Sequence, residues 1–279
     1  MSLNSEITRL QNAKATLKTK LNARNDNQHQ IDDETIDEYG AFVDSIPQGG
    51  GGIDWSQIGY SAEPQFVTDG FNYAKQIYDN WDSSQTDYSS KFNTDTNLKY
   101  MPLVDVSNGT SFYHMFYSCS ILENVPQLDT SNGTNFQGMF NNCSKLTTIP
   151  QLDTSKGITF NNMFSSCSAL TTIPQLVFSK SVSVYNMFSG CSALTTVGGF
   201  LNLGQAYLTT QSANFSNYTL KLNSCTLLTH DSLMNVINNL YDIATKGCNA
   251  QTLYLGSTNL AKLTAEEIAI ATNRGWSVS

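Results

Sequence analysis

The sequence predicts an α/β repeat fold: a solenoid with short strands on one side and short helices on the other, preceded by an N-terminal α-helical anchor. Three observations predict it. A 24-residue unit recurs without gaps between Leu98 and Leu194. Each unit holds one extended, proline-containing stretch and one stretch with helical spacing. A separate amphipathic segment opens the chain and is cut off from the rest by a run of glycines.

Residues 4–24 read as a helix, because Ile7, Leu10, Leu17 and Leu21 fall on a seam of alternating three- and four-residue steps interrupted by Lys14. So short a seam does not hold a lone helix together in water, and it needs a partner chain or a docking surface. It suits a homo-oligomer such as a trimer, with other strand numbers, and packing on its own chain, left open. A second helix is expected over 33–45, where Ile36, Tyr39, Phe42, Val43 and Ile46 share a face and Pro47 stops it. Gln48 and four glycines follow. The anchor is therefore assigned to 1–47 and a flexible linker to 48–52.

From 53 to 97 the chain is rich in aromatic and turn residues, with one helix expected from Asp69, as N-cap, to Trp81. An aromatic-faced segment just upstream of a repeat array suits a cap over the first hydrophobic layer.

The repeats occupy 98–200. The stretch LTTIPQLDTSKGITFNNMFSSCSA from Leu146 aligns with LENVPQLDTSNGTNFQGMFNNCSK from Leu122 at a period of 24. Leu98, Leu122, Leu146 and Leu170 form one column, and Pro102, Pro126, Pro150 and Pro174 another. Phe112, Phe136 and Phe160 fill a third, with Tyr185 one place late in the fourth unit. Methionine (115, 139, 163, 187), phenylalanine (116, 140, 164, 188) and cysteine (119, 143, 167, 191) columns complete the unit. The Leu-to-Asp stretch reads as the strand side. Phe, Met, Phe and Cys at offsets 0, 3, 4 and 7 share one helical face, which stacking of neighbours would bury. From 201 to 279 a longer repeat sets Leu220, Leu222 and Leu227 against Leu253, Leu255 and Leu260, all 33 apart. Helices are expected at 231–244 and 265–273, with Trp276 closing the last layer.

A net charge of −8 and a pI near 4.7 weigh against a nucleic-acid or anionic-membrane partner, since both demand a cationic surface. No stretch is long and apolar enough for membrane insertion, and the N-terminus lacks a secretory pattern, so a product made in the cytoplasm is expected. Only 14% of residues are charged while 11% are aromatic, a balance suited to contacting carbohydrate or protein.

Chemistry is scarce. His29, His114 and His230 share no spacing that would make a metal site or a triad, and no unit supplies a second Cys or His at zinc-ligand spacing. The cysteine column instead fits buried free thiols acting as small hydrophobes. Asp105, Asp129 and Asp153 recur at 24 and could form a calcium or acid–base ladder, but the Ser and Gly that follow favour an Asx-turn. No nucleotide or hydrolase fingerprint appears, so neither enzyme activity nor a cofactor is expected. If the repeats bind a ligand on the strand face, Asn124, Gln127, Thr148, Gln151, Thr172 and Gln175 point outward between the buried columns. Thr and Gln are equally ordinary surface residues.

The unit LxxIPQLDTSxGxxFxxMFxxCSx, repeated four times over Leu98 to Leu194, resembles the BspA-like leucine-rich repeats of bacterial surface antigens and some phage proteins. The opening ITRLQNAKATLKTKLNARN, then IDDETIDEYGAFVDSIP and glycines, is similar to the virion-proximal segment of phage tail and minor structural proteins. The resemblance implies a modular virion protein. Residues 1–47 would meet other virion proteins, and the repeats would face a host-surface glycan or protein. A bacterial surface adhesin of the same repeat class and a purely structural virion component are the alternatives.

Overall fold

The computed structural model describes residues 73–74, 76–205, 219–244, 246 and 250–279. All of these fall in one compact unit, Gln65–Ser279. Ile7, Leu10, Leu17 and Leu21, the helix expected at 33–45, the glycine linker, Asp69 and His29 lie outside the described residues.

Very short strands mix with short helices, and among the described residues no strands close into a barrel. In chain order they are β1 (Thr172–Ile173), β2 (Leu176–Val177), β3 (Thr196–Val197), β4 (Phe200–Leu201), β5 (Thr219–Lys221), α1 (His230–Asn238), β6 (Gln251–Tyr254), α2 (Gly256–Leu260), α3 (Ala265–Asn273) and β7 (Trp276–Val278). In β1 the β-branched Thr172 and Ile173 before Pro174 favour extended backbone, and the proline cuts that strand short. β1 pairs in parallel with β3, Thr172 opposite Thr196, and β2 pairs with β4, Leu176 opposite Phe200. Single parallel bridges carry the same 24-residue offset elsewhere, joining Asp87, Ser111, Asn135, Thr159 and Ser183 in succession. The periodic pairing thus begins one unit earlier than the leucine column suggests, at Asp87 rather than after Leu98.

The return stretch differs from the expected helix. Phe112, Met115, Phe116 and Cys119 are all fully buried, so the inward face is as read, but the backbone between them is a run of turns. Alternate amides leave the unit: Phe112, His114, Phe116 and Ser118 donate to the carbonyls of Asn135, Gln137, Met139 and Asn141 at 2.7–2.9 Å. The amides of Met115, Tyr117 and Cys119 instead close local turns onto Phe112, His114 and Phe116. The cause is two left-handed residues per unit. His114, Gly138, Asn162 and Asn186 have φ of 52–60°, and Ser118, Asn142, Ser166 and Gly190 have φ of 58–78°. A right-handed helix cannot pass through such positions. The short α-helices are confined, among the described residues, to 73–74 and 76–79 and to the part after residue 229.

Two ring columns fill the core. Phe92, Phe116, Phe140, Phe164 and Phe188 stack with centroids 5.3–5.7 Å apart. Tyr88, Phe112, Phe136 and Phe160 stack at 5.3–5.9 Å. Such pairs add about 0.5–1.5 kcal/mol each beyond burial. Trp81 lies over both columns at one end, 5.4 Å from Tyr88 and 6.2 Å from Phe92. Phe200 meets both at the other, 5.5 Å from Phe178 and 5.4 Å from Phe188.

Tyr185 does not join the second column. Val184 takes the backbone place, Tyr185 turns outward at 59% exposure, and the ring comes from Phe178, 4.8 Å edge-on to Phe160. Three substitutions in that unit belong together. Gly133 and Gly157 leave no room for a Cβ, which would sit 2.5 Å and 2.2 Å from the Cζ of Phe136 and Phe160. Where Val184 replaces the phenylalanine, Ser181 is tolerated in the glycine place and Phe178 supplants the threonine of earlier units.

In the C-terminal part β5, β6 and β7 form one parallel sheet, with Leu220 opposite Leu253 as the 33-residue offset requires. Leu227 departs from that pattern: it is 57% exposed, and Cys225 and Leu228 are buried instead. Helix α1 starts at its Thr229 cap and stops at Asn238, short of the expected residue 244. Arg274 Nη1 donates to the carbonyls of Ile237, Asn238 and Leu240 and so satisfies the helix end. Helix α3 spans the expected 265–273 and opens with a capping box between Thr264 and Glu267. Trp276 is buried in β7 with its indole N–H on Tyr241 O at 3.0 Å.

Candidate functional site

On the strand face Asn124, Gln127, Thr148, Gln151 and Gln175 are exposed and Thr172 is half-buried, as two parallel rows. Two of the three glutamines, Gln127 and Gln151, are not free surface. Gln127 Nε2 donates to the carbonyls of Leu128, at 3.2 Å, and Gln151. Gln151 Nε2 repeats this onto Leu152, at 3.1 Å, and Gln175, at 2.7 Å. These amides tie each unit to the next. A shallow open groove beside them is lined by Gln127, Asp129, Ser131, Gln151, Asp153 and Val177, among others.

Asp129 and Asp153 of this groove, and Asp105 one unit earlier, face their own turns. Asp105, Asp129 and Asp153 accept from the amides of Ser107, Ser131 and Ser155 at 2.9–3.0 Å. Those serine hydrogen bonds, backbone and side-chain, hold the three carboxyls below the usual range. This is the Asx-turn arrangement. The buried hydroxyls of Thr130 and Thr154 donate to the Asp153 and Val177 carbonyls at 2.9 Å, again bridging units.

The thiols are equally committed. Cys119, Cys143, Cys167 and Cys191 each donate to a phenylalanine carbonyl 27 residues earlier, at 2.9–3.0 Å, and Cys225 reaches Phe188 O at 3.7 Å. All five are buried and free. Burial pushes Cys119 and Cys167 up to about 12, and raises Cys143 and Cys191 as well, so none is a ready nucleophile or metal ligand. The column continues beyond the cysteines as Asn259, whose Nδ2 donates to Leu222 and Cys225 carbonyls at 3.0 and 3.3 Å. Among the described residues no group of three His, Cys, Asp or Glu is placed to hold a metal, and no helix is long and apolar enough to cross a membrane.

The two described histidines, His114 and His230, serve local contacts. His114 is half-buried rather than a bare surface residue: its ring stacks 4.0 Å from Tyr113, sits 4.7 Å from Tyr117, and fills the space Gly138 leaves open. Burial lowers its pKa and so favours the neutral ring. His230 Nε2 lies 2.8 Å from Glu267 Oε1, joining α1 to α3, and that contact raises the histidine's pKa.

A second outward surface lies on the turn side, one and five places after each second-column position. Tyr113, Tyr117, Gln137, Asn141 and Asn161 are half-buried there, and Tyr185 is the most exposed. The sequence signal was available, in the variable place directly after the repeated phenylalanine, but a helical reading of the stretch scattered these residues around an axis.

No curated protein and no solved structure matches the chain. Residues 65–200, just under half of the chain, match the family described as "Mycoplasma protein of unknown function, DUF285", a family associated with BspA-like repeat proteins.

Proposed function

We propose that the chain is a non-enzymatic binding protein: a leucine-rich-repeat solenoid carried on a virion, as part of a phage tail fibre or other tail-associated appendage, and presented to the host surface. The observation that carries this reading is where the reactive groups go. Repeat thiols, aspartates, threonines and glutamines are spent on the same or the neighbouring unit. What faces outward on the turn side is uncharged polar and aromatic, which suits recognition. The constant 24-residue parallel offset supports a solenoid that stacks unit on unit. The virion placement rests on the three-part sequence layout, with residues 1–47 meeting other virion proteins and forming a homo-oligomer, and the repeats meeting a host glycan or protein. Neither nucleic acid nor membrane insertion forms part of this reading. Gold-labelled antibody against the repeats should decorate tails or projecting fibres of intact virions; unlabelled virions beside labelled host cells would overturn it.

A second reading, a bacterial surface adhesin of the BspA-like class, is favoured by the match of residues 65–200 to a bacterial family. A third, a structural virion component without a receptor, separates from the first by deletion. Loss of residues 53–279 abolishes adsorption only if the repeats recognise the host.

A further inference from the structure

We infer that the turn face, rather than the strand face, is the ligand-binding surface, and that it takes a neutral oligosaccharide laid across the units. This rests on the reading of the chain as a binding protein and specifies its ligand.

The two faces differ in what their polar groups have left to offer. On the strand face Gln127 and Gln151 spend both amide hydrogens on carbonyls of their own and the following unit. Binding there would compete with contacts that hold the units together. On the turn face the positions one and five places after the phenylalanine column are Tyr113, Tyr117, Gln137, Asn141, Asn161 and Ser165, continuing to Tyr185 and Ser189. None carries a formal charge, although the chain as a whole has a net charge of −8. Asn161 Oδ1 accepts from the Tyr185 amide at 2.8 Å and from the Ser183 hydroxyl, which fixes the side chain and leaves its amide group as a donor.

Aromatic rings bracket this polar centre. Tyr113 is braced by His114 at 4.0 Å at one end. Tyr185 stands at the other, with Lys221 Nζ 5.8 Å from its centroid and Tyr254 opposite Lys221 in the sheet. Three rungs separate the tyrosines, about 14 Å at a strand spacing of about 4.8 Å. Rigid rings at both ends of a row of amides and hydroxyls match the two demands of a sugar chain: apolar ring faces to stack on, and many hydroxyls to pair. A protein partner would instead favour an apolar centre with a polar rim, the reverse of this arrangement.

The test uses the full-length chain on immobilised hexasaccharides of glucose, mannose, N-acetylglucosamine and galacturonate, with the matching disaccharides. A neutral hexasaccharide should bind more tightly than its disaccharide. Tyr113→Ala and Tyr185→Ala should each weaken it at least about tenfold, equivalent to about 1.4 kcal/mol. Tyr185→Phe should restore most of the binding and Gln151→Ala should leave it unchanged. Far-UV circular dichroism checks that both tyrosine variants fold. Binding by none of the neutral sugars, binding only by galacturonate, or binding indifferent to both tyrosines overturns the inference. Failure here is distinguishable from failure of the binding role itself: a chain that adsorbs to host cells equally well without Tyr113 and Tyr185 keeps its function and loses this surface.

Discussion

Replacing Asn162 distinguishes a left-handed turn from a helix by the sign of the effect. Its φ is 55°, its amide donates to Tyr185 O in the next unit at 2.8 Å, and its own carbonyl accepts from Ser165 at 3.1 Å. A Cβ in the left-handed region costs roughly 1–2 kcal/mol, which asparagine partly escapes and alanine does not. Asn162→Ala should therefore lower stability by about 1 kcal/mol. Asn162→Gly should stay within a few tenths of wild type, since relief of the left-handed strain offsets the greater freedom of glycine in the unfolded chain. Were the segment α-helical, alanine would be the better residue by about 0.6 kcal/mol and glycine the worse. The order of the variants thus inverts. Urea unfolding followed by circular dichroism, comparing midpoints at equal slope, measures it. An alanine variant more stable than the glycine variant would refute the turn geometry, and Asn186, with φ of 52°, offers an independent repeat of the experiment.

Gly138→Ala should destabilise by about 1–3 kcal/mol, because the new Cβ would lie 2.2 Å from His114 Cδ2 at a φ of 60°; in a His114→Ala background only the backbone part, about 1 kcal/mol, should remain. Gln151→Ala, which removes the donor to Leu152 and Gln175, should cost about 0.5–1.5 kcal/mol in the same unfolding assay. In the folded protein at pH 8 a thiol reagent should label at most one of the six cysteines, Cys248, since the other five are buried, and all six should label in denaturant. The thiols also set an alkaline limit. Their ordinary value is 9.0, and burial raises it in the fold to about 12 for Cys119, Cys167 and Cys225. Their contribution is therefore complete below about pH 9 and is lost as pH climbs toward 12, visible as a falling thermal midpoint in that window.

Much of the fold was legible because one pattern was written several times. Leu122, Phe136, Met139, Phe140 and Cys143 recur at one offset, and a column that recurs must pack against itself, so their burial follows from alignment alone. The Asx-turns were legible for a local reason: Asp129 needs only its own Ser131. The conformation of the return stretch was misread because apolar spacing is blind to the sign of φ. Phe, Met, Phe and Cys satisfy helical spacing while His114 and Ser118 between them turn left-handed. The clue was the polar column His114, Gly138, Asn162 and Asn186, three of whose members are residue types that tolerate that region best. The fourth unit was misaligned at Tyr185 because a ring can be delivered to a column from elsewhere, here from Phe178, and a one-dimensional alignment does not see across the core. On the candidate surface, exposure of Gln151 was foreseen, while its bonds to the next unit depend on a backbone 24 residues away.

The ladder of outgoing amides carries a cost in uniqueness. From Tyr88 to Ser166 each unit offers its successor four donors at matching places, so a unit docked one copy too far along would find nearly the same partners. Correct indexing is left to features that occur once: Trp81, which fits only at one end, and the Phe178, Val184 and Phe200 group, which no earlier unit reproduces. Misindexed pairings should compete during folding until these ends are placed. Chains lacking either end should therefore reach the native pairing more slowly, and less completely, than the loss of contacts alone would require.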